Sequence, residues 1–473
     1  MKKNEEYEVR ITDLNTDGEG VGKAGAFPLF VKNTCIGDLA QVRVMKLKKT
    51  YGYARLIRVL EPSPDRCDAR CSRAAACGGC QLQQMTYEAQ LQFKTEKVRQ
   101  NLRRIGGFDI EVPGCLGMRE PWHYRNKSQV PVGRSKDGRI VTGFYAHHTH
   151  DIIESDGCAL TFEEADAVLR IVREWMEAQH IPPYDEETGR GLVRHVLSRK
   201  GFATGQIMVC VIAAGSVLPY YGELLRHLKT EIPGFTTLCL NVNTARGNTI
   251  LGKETKVLYG PGVIEDEIDG LKFTVSANSF YQVNPAQTAV LYGKALEFAG
   301  LTGNETVWDV YCGIGTISLF LARRAKKVYG VEIVPQAVED ARLNAGRNAL
   351  QNTEFFTGKA EEVLPAWHSA HPGEKIDVIV VDPPRKGCDE ACLQTIVSMA
   401  PDRLVYVSCD SATLARDLKY LCENGFRLEK VQPVDMFGMT VHVETVCCLS
   451  HQNKDFISVP YEPKDADYLK QLN

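Results

Sequence analysis

From about residue 270, strand-like segments alternate with helical ones, and this regularity constrains the fold more than any other feature. The strand-like segments are ETVWDVY, KVYGVEI, TEFFTG, IDVIVVD and RLVYVSC. Such βαβ alternation predicts a mainly parallel sheet. The pattern ends in two strands with no helix between them, FRLEKVQPVDMF and VHVETVCCLS. We therefore expect an α/β domain whose parallel sheet closes with a terminal hairpin.

The segment WDVYCGIGTISL predicts a strand, a Gly-rich turn and a helix. Gly313 and Gly315 would let the backbone approach a ligand, although a tight turn alone would also explain them. Glu332 ends the next strand, where a carboxylate can accept hydrogen bonds from ribose hydroxyls. NAD remains possible, but the turn has two glycines rather than three, and S-adenosylmethionine has no pyrophosphate. With the hairpin, this favours a Rossmann-like class I methyltransferase domain over residues 266–455.

Three reactive side chains are predicted at the same edge of that sheet. Asp382 ends one strand in DPPRKG, Cys409 ends the next in YVSCDS, and Glu444 lies on the last strand. Ligands of open α/β sheets bind at this edge. A helix follows Cys409, so we expect its thiol pKa to be lowered. A rigid turn at Asp-Pro-Pro and an inert buried cysteine are the structural alternatives.

A thiolate, a carboxylate and a methyl donor suffice to methylate carbon 5 of uracil. Addition of the thiolate to carbon 6 makes carbon 5 nucleophilic, and a base then removes the carbon-5 proton so that the thiolate can leave. A cytosine-5 enzyme would typically carry a Pro-Cys motif where this chain has DPPRKG. A non-catalytic RNA-binding or redox protein would not need all three groups.

The chain has 16 cysteines, and CSRAAACGGC contains three of them, Cys71, Cys77 and Cys80. Cys158 is a possible fourth ligand. Four thiolates suit a 4Fe–4S cluster or a structural zinc ion. Zinc sites usually come as two close pairs, so a triplet with a distant single cysteine favours the cluster. Spacing alone does not exclude Cys67.

The N-terminal residues 1–62 predict an OB-like β-barrel, because short alternating strands are separated by Gly-rich turns. Residues 63–265 predict an α+β middle domain that carries the cysteines, and 456–473 a C-terminal tail. Within residues 41–60 no acidic residue occurs, and the basic ones are either a solvated face or a phosphate-binding surface: Arg43, Lys46, Lys48, Lys49, Arg55 and Arg58. The absence of a signal-like start or a long apolar run predicts a cytoplasmic protein without a membrane span.

Six segments resemble the RNA (uracil-5-)-methyltransferases that act on bacterial 23S ribosomal RNA. They are CGGCQLQ, HYRNKSQVPVG, SFYQVNPAQT, DVYCGIGTISL, DPPRKG and YVSCDSATLARDL. The resemblance covers nearly the whole chain and identifies the barrel as a TRAM domain. It implies that the protein methylates carbon 5 of specific uridines through an adduct between Cys409 and uracil carbon 6. It further implies that Glu444 removes the carbon-5 proton.

The resemblance also implies ligand contacts. S-adenosylmethionine would be held by four side chains, Gln282, Tyr311, Glu332 and Asp382, where Tyr311 replaces the Phe of several relatives. A 4Fe–4S cluster would be held by Cys71, Cys77, Cys80 and Cys158. Phe280 and Gln282 would lie against a uracil flipped out of its stack.

RNA is the expected partner, and the protein is expected to be a monomer. Relatives that act on tRNA often lack both the TRAM segment and the cluster, so the sequence favours 23S rRNA, with a tRNA (uracil-5-)-methyltransferase as the alternative. The basic barrel would contact phosphates, which makes binding salt-dependent. Arg125 and Lys127 are either further RNA contacts or ordinary surface charges.

Overall fold

The structure is a computed structural model that describes residues 1–147, 149–155 and 157–452. The predicted tail, 456–473, lies outside the described residues. The chain begins with five strands: β1 (Glu6–Leu14), β2 (Gly20–Ala24), β3 (Phe27–Val31), β4 (Leu39–Leu47) and β5 (Gly52–Glu61). They close into a barrel in the order β1-β2-β3-β5-β4 around a small apolar core. The predicted OB-like barrel is therefore confirmed.

Helix α1 (Tyr87–Asn101) follows the first three clustered cysteines and packs against the C-terminal sheet. Its Val98 lies in the same apolar cluster as Trp308 of that sheet. The fully buried ammonium of Lys94 lies 2.6 Å from the fully buried carboxylate of Asp435. Removing one partner of such a pair leaves a buried charge without compensation, so this contact ties α1 firmly to the C-terminal domain.

The middle of the chain forms a seven-stranded mixed sheet, in the order β12-β11-β10-β9-β6-β7-β8. Its strands are β6 (Lys127–Arg134), β7 (Ile140–Tyr145), β8 (Ile152–Glu154), β9 (Val193–Lys200), β10 (Ile207–Ala213), β11 (Phe235–Val242) and β12 (Glu254–Tyr259). Helices α2 (Glu164–Ala178) and α3 (Tyr221–Glu231) share one apolar core with this sheet. A hairpin of β13 (Val263–Ile268) and β14 (Leu271–Ser276) leads into the next domain. The predicted α+β architecture of this region is thus observed.

The C-terminal domain is a second seven-stranded sheet, in the order β17-β16-β15-β18-β19-β21-β20. Its strands are β15 (Thr306–Val310), β16 (Lys327–Glu332), β17 (Thr353–Thr357), β18 (Val378–Val381), β19 (Arg403–Ser408), β20 (Phe426–Val434) and β21 (Glu444–His451). Its helices are α4 (Pro285–Ala299), α5 (Thr316–Ala322), α6 (Pro335–Arg347), α7 (Ala360–Ala370), α8 (Glu390–Met399) and α9 (Ser411–Glu423). Strands β15 to β19 pair in parallel, and β21 is antiparallel to both of its neighbours.

This topology confirms the predicted parallel sheet with a terminal hairpin. The domain limits at 62, 265 and 455 remain predictions, and α1 packs on the C-terminal sheet although it lies within 63–265. Within the described part of the chain, no helix is both long enough and apolar enough to cross a membrane.

The loop 435–443, between β20 and β21, is where the parts of the protein meet. Its backbone carbonyls accept hydrogen bonds from the barrel-to-α1 segment, from α1 and from the segment before α4. A Cβ built on Gly18, in the barrel, would lie 2.8 Å from a methyl carbon of Val441. Because the loop ends at Glu444, these contacts fix where that carboxylate enters the sheet.

Candidate active site and cysteine cavity

Cys409 and Glu444 come together through the pairing of the last strands. Ser408 of β19 lies opposite Thr445 of β21 in an antiparallel ladder. One residue further out, the same register brings Cys409 opposite Glu444. Adjacent strands lie about 4.8 Å apart, so a thiol and a carboxylate at facing positions are close neighbours. Asp382 directly follows β18, the parallel neighbour of β19, and thus lies at the same sheet edge.

Glu444 sits in an environment that disfavours its charge. The residue is 5% exposed. Burial, followed by the nearby charge of Asp382, raises the pKa of Glu444 to about 8, and the guanidinium of Arg385 opposes this shift. Burial and the carboxylate of Asp309 raise the pKa of Asp382 to about 7. A carboxyl group with a pKa this close to neutrality is suited to accept and release protons.

The prediction that the Cys409 thiol has a lowered pKa is wrong. Burial and the carboxylates of Glu444 and Asp382 raise the pKa of Cys409 to about 11, against the charge of Arg385. The first amides of the following helix are occupied by another acceptor. The side chain of Asp410 caps α9 by accepting from the backbone N–H groups of Ala412 (2.9 Å) and Thr413 (3.0 Å).

The Gly-rich turn after β15 has the backbone that a cofactor loop requires. Gly313 and Gly315 have φ of +54° and +81°, and a Cβ on Gly315 would lie 3.1 Å from the side chain of Ala341. Glu332, at the end of β16, accepts from the N–H groups of Gly313 (3.2 Å) and Val334 (3.0 Å). These bonds hold the carboxylate beside the turn, where ribose hydroxyls are bound in folds of this kind.

Gln282 lies in the segment before α4, and its side-chain amide donates to the hydroxyl of Tyr292 (3.3 Å). Burial, the carboxylates of Asp382 and Asp309, and that of Glu444 all keep the pKa of Tyr292 above its usual range. Tyr292 therefore links the Gln282 side chain to the carboxylates at the sheet edge. Tyr292 carries no sequence signal of this role, because a tyrosine inside an apolar helix is expected to be a core residue.

Two predicted site residues have contrasting surroundings. Phe280 is 73% exposed, so its ring is not part of the protein core. Tyr311 has φ of +70°, and its phenol faces the thiols of Cys392 and Cys388. Arg385 was also missed as a site residue. It is exposed, and its charge acts on both Cys409 and Glu444.

The four predicted cluster ligands line one cavity. Cys71, Cys77, Cys80 and Cys158 all face a cavity of about 230 Å³. Cys67 is not among the residues that line this cavity. Its thiol instead donates to the backbone carbonyl of Gln83 (3.5 Å). The four cysteine side chains surround a space rather than a point. Among the described residues, no three His, Cys, Asp or Glu side chains are arranged to hold a single metal ion.

The cavity wall also provides hydrogen-bond donors to two of the sulfurs, although burial raises the pKa of both Cys77 and Cys80. The N–H of Gly79 points at the sulfur of Cys77 (3.4 Å), and the amide of Gln83 donates to the sulfur of Cys80 (3.2 Å). Arg125 and Lys127 line the cavity as well. Burial and neighbouring arginines lower the pKa of Lys127 to about 8. Both cations, for which RNA contacts were one of two predicted roles, thus face the cysteines.

The cavity and the sheet edge are joined through one segment. Val283 lines the cavity, and its carbonyl accepts from the backbone N–H of Asn126 (2.8 Å). The side-chain amide of Asn126 donates to the carbonyl of Gln282 (2.9 Å). Arg199, fully buried, donates to the carbonyls of Ala277 (3.3 Å) and Ser279 (2.7 Å). The backbone on either side of Phe280 is therefore anchored to the middle sheet.

The strand order with its antiparallel β21, the two-glycine turn and the carboxylate that ends β16 define a class I, S-adenosylmethionine-dependent methyltransferase. Two family models match the chain: one described as tRNA (Uracil-5-)-methyltransferase over residues 252–452, and one for the TRAM domain over residues 2–57. An uncharacterized RNA methyltransferase of Halalkalibacterium halodurans is 51% identical over 454 residues, 96% of this chain and 98% of the relative. A similarly described protein of Listeria monocytogenes is 49% identical over 449 residues, 95% of this chain and 98% of the relative.

The chain belongs to the RNA (uracil-5-)-methyltransferase family and is an S-adenosylmethionine-dependent RNA methyltransferase. It is also similar to a solved structure, the Pyrococcus abyssi tRNA (uracil-54, C5)-methyltransferase in complex with S-adenosyl-L-homocysteine. The TM-score is 0.74 with 27% identity, covering 94% of this chain and 100% of that one.

Proposed function

We propose that the protein methylates carbon 5 of specific uridines in 23S rRNA, with Cys409 forming a covalent adduct at uracil carbon 6. The observation that carries this proposal is the pairing of β19 with β21, which sets Cys409 opposite Glu444 at the ligand-binding edge of the sheet. A nucleophile and a proton acceptor on facing positions can act on adjacent carbons of one ring. The two carbons involved in this reaction, carbon 6 and carbon 5, are adjacent.

In this mechanism Cys409 loses its thiol proton to solvent as its sulfur adds to carbon 6, and the displaced electron pair forms an enolate that makes carbon 5 nucleophilic. Bound S-adenosylmethionine supplies the methyl group that carbon 5 takes. Glu444 then removes the carbon-5 proton, the ring electrons return, and the bond between carbon 6 and sulfur breaks. The ionised form of Glu444 accepts this proton, and with a pKa raised to about 8 it is a stronger base than an ordinary carboxylate.

Four side chains would hold S-adenosylmethionine at the sheet edge. Glu332 would accept from the ribose hydroxyls, as its position beside the Gly-rich turn favours. Gln282, Tyr311 and Asp382 would complete the contacts, and the exposed ring of Phe280 would stack on the extruded uracil. The raised pKa of Asp382, about 7, leaves its carboxyl partly protonated near neutrality and able to donate as well as accept.

The choice of 23S rRNA rests on the N-terminal barrel and the clustered cysteines. Relatives that act on tRNA often lack both features, so their presence favours 23S rRNA as the substrate. A tRNA (uracil-5-)-methyltransferase is the alternative, and the similarity to the Pyrococcus abyssi tRNA enzyme supports it. Methylation of purified 23S rRNA and of bulk tRNA, each isolated from a strain lacking the enzyme, separates the two. Incorporation into 23S rRNA alone is the expected result.

We further propose that Cys71, Cys77, Cys80 and Cys158 hold a 4Fe–4S cluster rather than zinc. A mononuclear zinc ion draws four sulfurs to about 2.3 Å from one point, whereas a cubane binds each thiolate to a different iron. The cysteines surround a cavity, and N–H groups point at two of the sulfurs, as is common around such clusters. The cluster would support folding or RNA docking, because the methyl transfer needs no electron transfer.

The covalent mechanism is tested with an RNA that carries 5-fluorouridine at the target position. Fluorine at carbon 5 cannot leave as a proton, so the wild-type protein with S-adenosylmethionine should form an adduct that survives a denaturing gel. Cys409→Ala should form none. Cys422→Ala, which removes a half-buried thiol from the far end of the following helix, is the matched control and should react like the wild type. Adducts that persist in Cys409→Ala would refute the assignment of the nucleophile.

The cluster is tested by analysing iron, acid-labile sulfide and zinc in anaerobically purified protein. Roughly four irons and four sulfides per chain are expected. Cys77→Ser should lose both, while Cys67→Ser, whose thiol lies outside the cavity, should retain them. One zinc ion per chain without sulfide would reject the cluster in favour of zinc. Normal fold, RNA affinity and turnover in Cys77→Ser would reject the supporting role.

A further inference from the structure

Three aromatic rings cluster on the outside of the N-terminal barrel. The ring of Phe30 lies 5.3 Å from that of Tyr51 and 5.8 Å from that of Tyr53, and the two tyrosine rings lie 5.7 Å apart. All three are partly exposed. The apolar cluster that fills the barrel does not include them. These three rings are therefore not part of the apolar core of the barrel and are available for another role.

Basic side chains flank this aromatic cluster. Lys46 lies opposite Tyr53 in the pairing of β4 with β5, and Arg55 follows Tyr53 by two residues on the same strand face. Within the described parts of the chain, neither Lys46 nor Arg55 has an ion-pair partner, whereas Arg43 of the same run is 2.6 Å from Glu6. Partly exposed rings beside unpaired cations combine the two features of single-strand nucleic acid binding, a stacking surface and a phosphate-binding one.

The aromatic cluster is on the side of the barrel that leads to the catalytic edge. Phe30 lies opposite Val21, close to the turn between β1 and β2, and a Cβ built on Gly18 in that turn would lie 2.8 Å from a methyl carbon of Val441. Lys97 in turn donates to the carbonyl of Val441 (2.9 Å), three residues before Glu444. The rings thus lie near the turn by which the barrel contacts the loop that leads to Glu444.

We propose that Phe30, Tyr51 and Tyr53 form a stacking platform for unpaired bases of the RNA next to the target uridine. This proposal rests on the proposed function, since it takes RNA as the substrate. It adds a site that binds single-stranded RNA in preference to a duplex. Stacking requires bases that are out of a duplex, which suits an enzyme that must extrude its target base. The aromatic faces accept any base, so the platform selects for accessible strands rather than for sequence.

The test measures the affinity of the full-length protein for a fluorescent single-stranded RNA of about 12 nucleotides. Tyr53→Leu and Tyr51→Leu should each weaken binding about 5-fold or more, because base stacking contributes roughly 1–3 kcal/mol and tenfold corresponds to about 1.4 kcal/mol. Tyr53→Phe keeps the ring and should bind like the wild type. Tyr7→Leu is the matched control, because that ring packs against the barrel core.

A second RNA of the same length, without bases, separates stacking from phosphate contacts. The wild type should bind this abasic RNA more weakly, and Tyr53→Leu should cause no further loss on it. Lys46→Ala should weaken binding to both RNAs and reduce the dependence of affinity on salt, whereas Tyr53→Leu should leave that salt dependence unchanged. Equal losses for Tyr53→Leu on both RNAs, or wild-type affinity with a lowered melting temperature, would overturn the platform.

Failure of the platform and failure of the proposed function give different results. If the wild type forms the 5-fluorouridine adduct while the ring variants bind RNA like the wild type, only the platform is rejected. If the wild type forms no adduct although it binds both RNA and S-adenosylmethionine, the covalent mechanism is rejected. Ring-dependent RNA binding would still support the platform in that case.

Discussion

Replacing Glu444 by Gln should stabilise the protein by an amount that increases with pH. The pKa of Glu444 is raised from 4.5 to about 8, so the folded protein holds this proton more tightly than the unfolded chain does. A group of this kind contributes full stability below its unfolded pKa, and the contribution is lost as pH rises towards the folded value. Between pH 4.5 and about pH 7 the free energy of unfolding of the wild type therefore falls by about 3 kcal/mol, at about 1.36 kcal/mol per pH unit.

Glutamine keeps the shape of the side chain but cannot ionise, so Glu444→Gln avoids this loss. Urea unfolding followed by tryptophan fluorescence reports on the domain, because Trp308 and Trp367 lie in its apolar cluster. The variant and the wild type should be similarly stable near pH 4.5. The margin, which is the free energy of unfolding of the variant minus that of the wild type, should grow to about 3 kcal/mol near neutrality. The exposed Glu374→Gln serves as the control and should show a margin that does not change with pH.

A margin for Glu444→Gln that stays constant across this pH range, or that shrinks as pH rises, would refute the reasoning. Either result would mean that the Glu444 carboxyl is already ionised in the folded protein at low pH. The buried setting would then have to contain a compensating charge. The same variant also tests the mechanism. On ordinary uridine RNA it should accumulate the methylated adduct, because the carbon-5 proton is not removed.

Three other substitutions follow from the geometry. Lys94→Met leaves the Asp435 carboxylate buried without its cation and should lower the free energy of unfolding by about 3–5 kcal/mol, measured by urea unfolding. Gly315→Ala places a Cβ at φ +81° in the cofactor turn and should weaken S-adenosylmethionine binding about tenfold by calorimetry. Arg385→Gln removes the cation that lowers the pKa of Cys409 and Glu444, so the rise of kcat/KM with pH should move to higher pH. The first prediction is contradicted if the urea transition of Lys94→Met is unchanged. The second is contradicted if Gly315→Ala binds S-adenosylmethionine like the wild type, and the third if the pH profile of Arg385→Gln does not move.

Much of the fold could be predicted from the sequence because its signals are local. Strand and helix alternation, the two glycines before α5 and the final hairpin are all encoded within short windows, and the observed sheet has the predicted form. The positions of Asp382 and Cys409 at strand ends followed from the same patterns, because parallel strands end at one edge. The cysteine triplet predicted a shared site, and its members do line one cavity with Cys158.

What the sequence could not show depends on distant segments and on burial. Helix α1 lies within the predicted middle region, yet it packs on the C-terminal sheet through Val98 and the Lys94–Asp435 pair. The capping of α9 by Asp410 is local, but its consequence for the neighbouring thiol depended on which carboxylates the sheet brings near.

The sequence by itself thus determined the order of the elements and the chemical groups available at the sheet edge. The tertiary structure alone decided the protonation of those groups. The pKa of a side chain depends on its solvation and on charges from other strands, and neither is a property of the neighbouring residues in the chain. For this reason Cys409, expected to be acidic from its place before a helix, has a raised pKa beside Glu444.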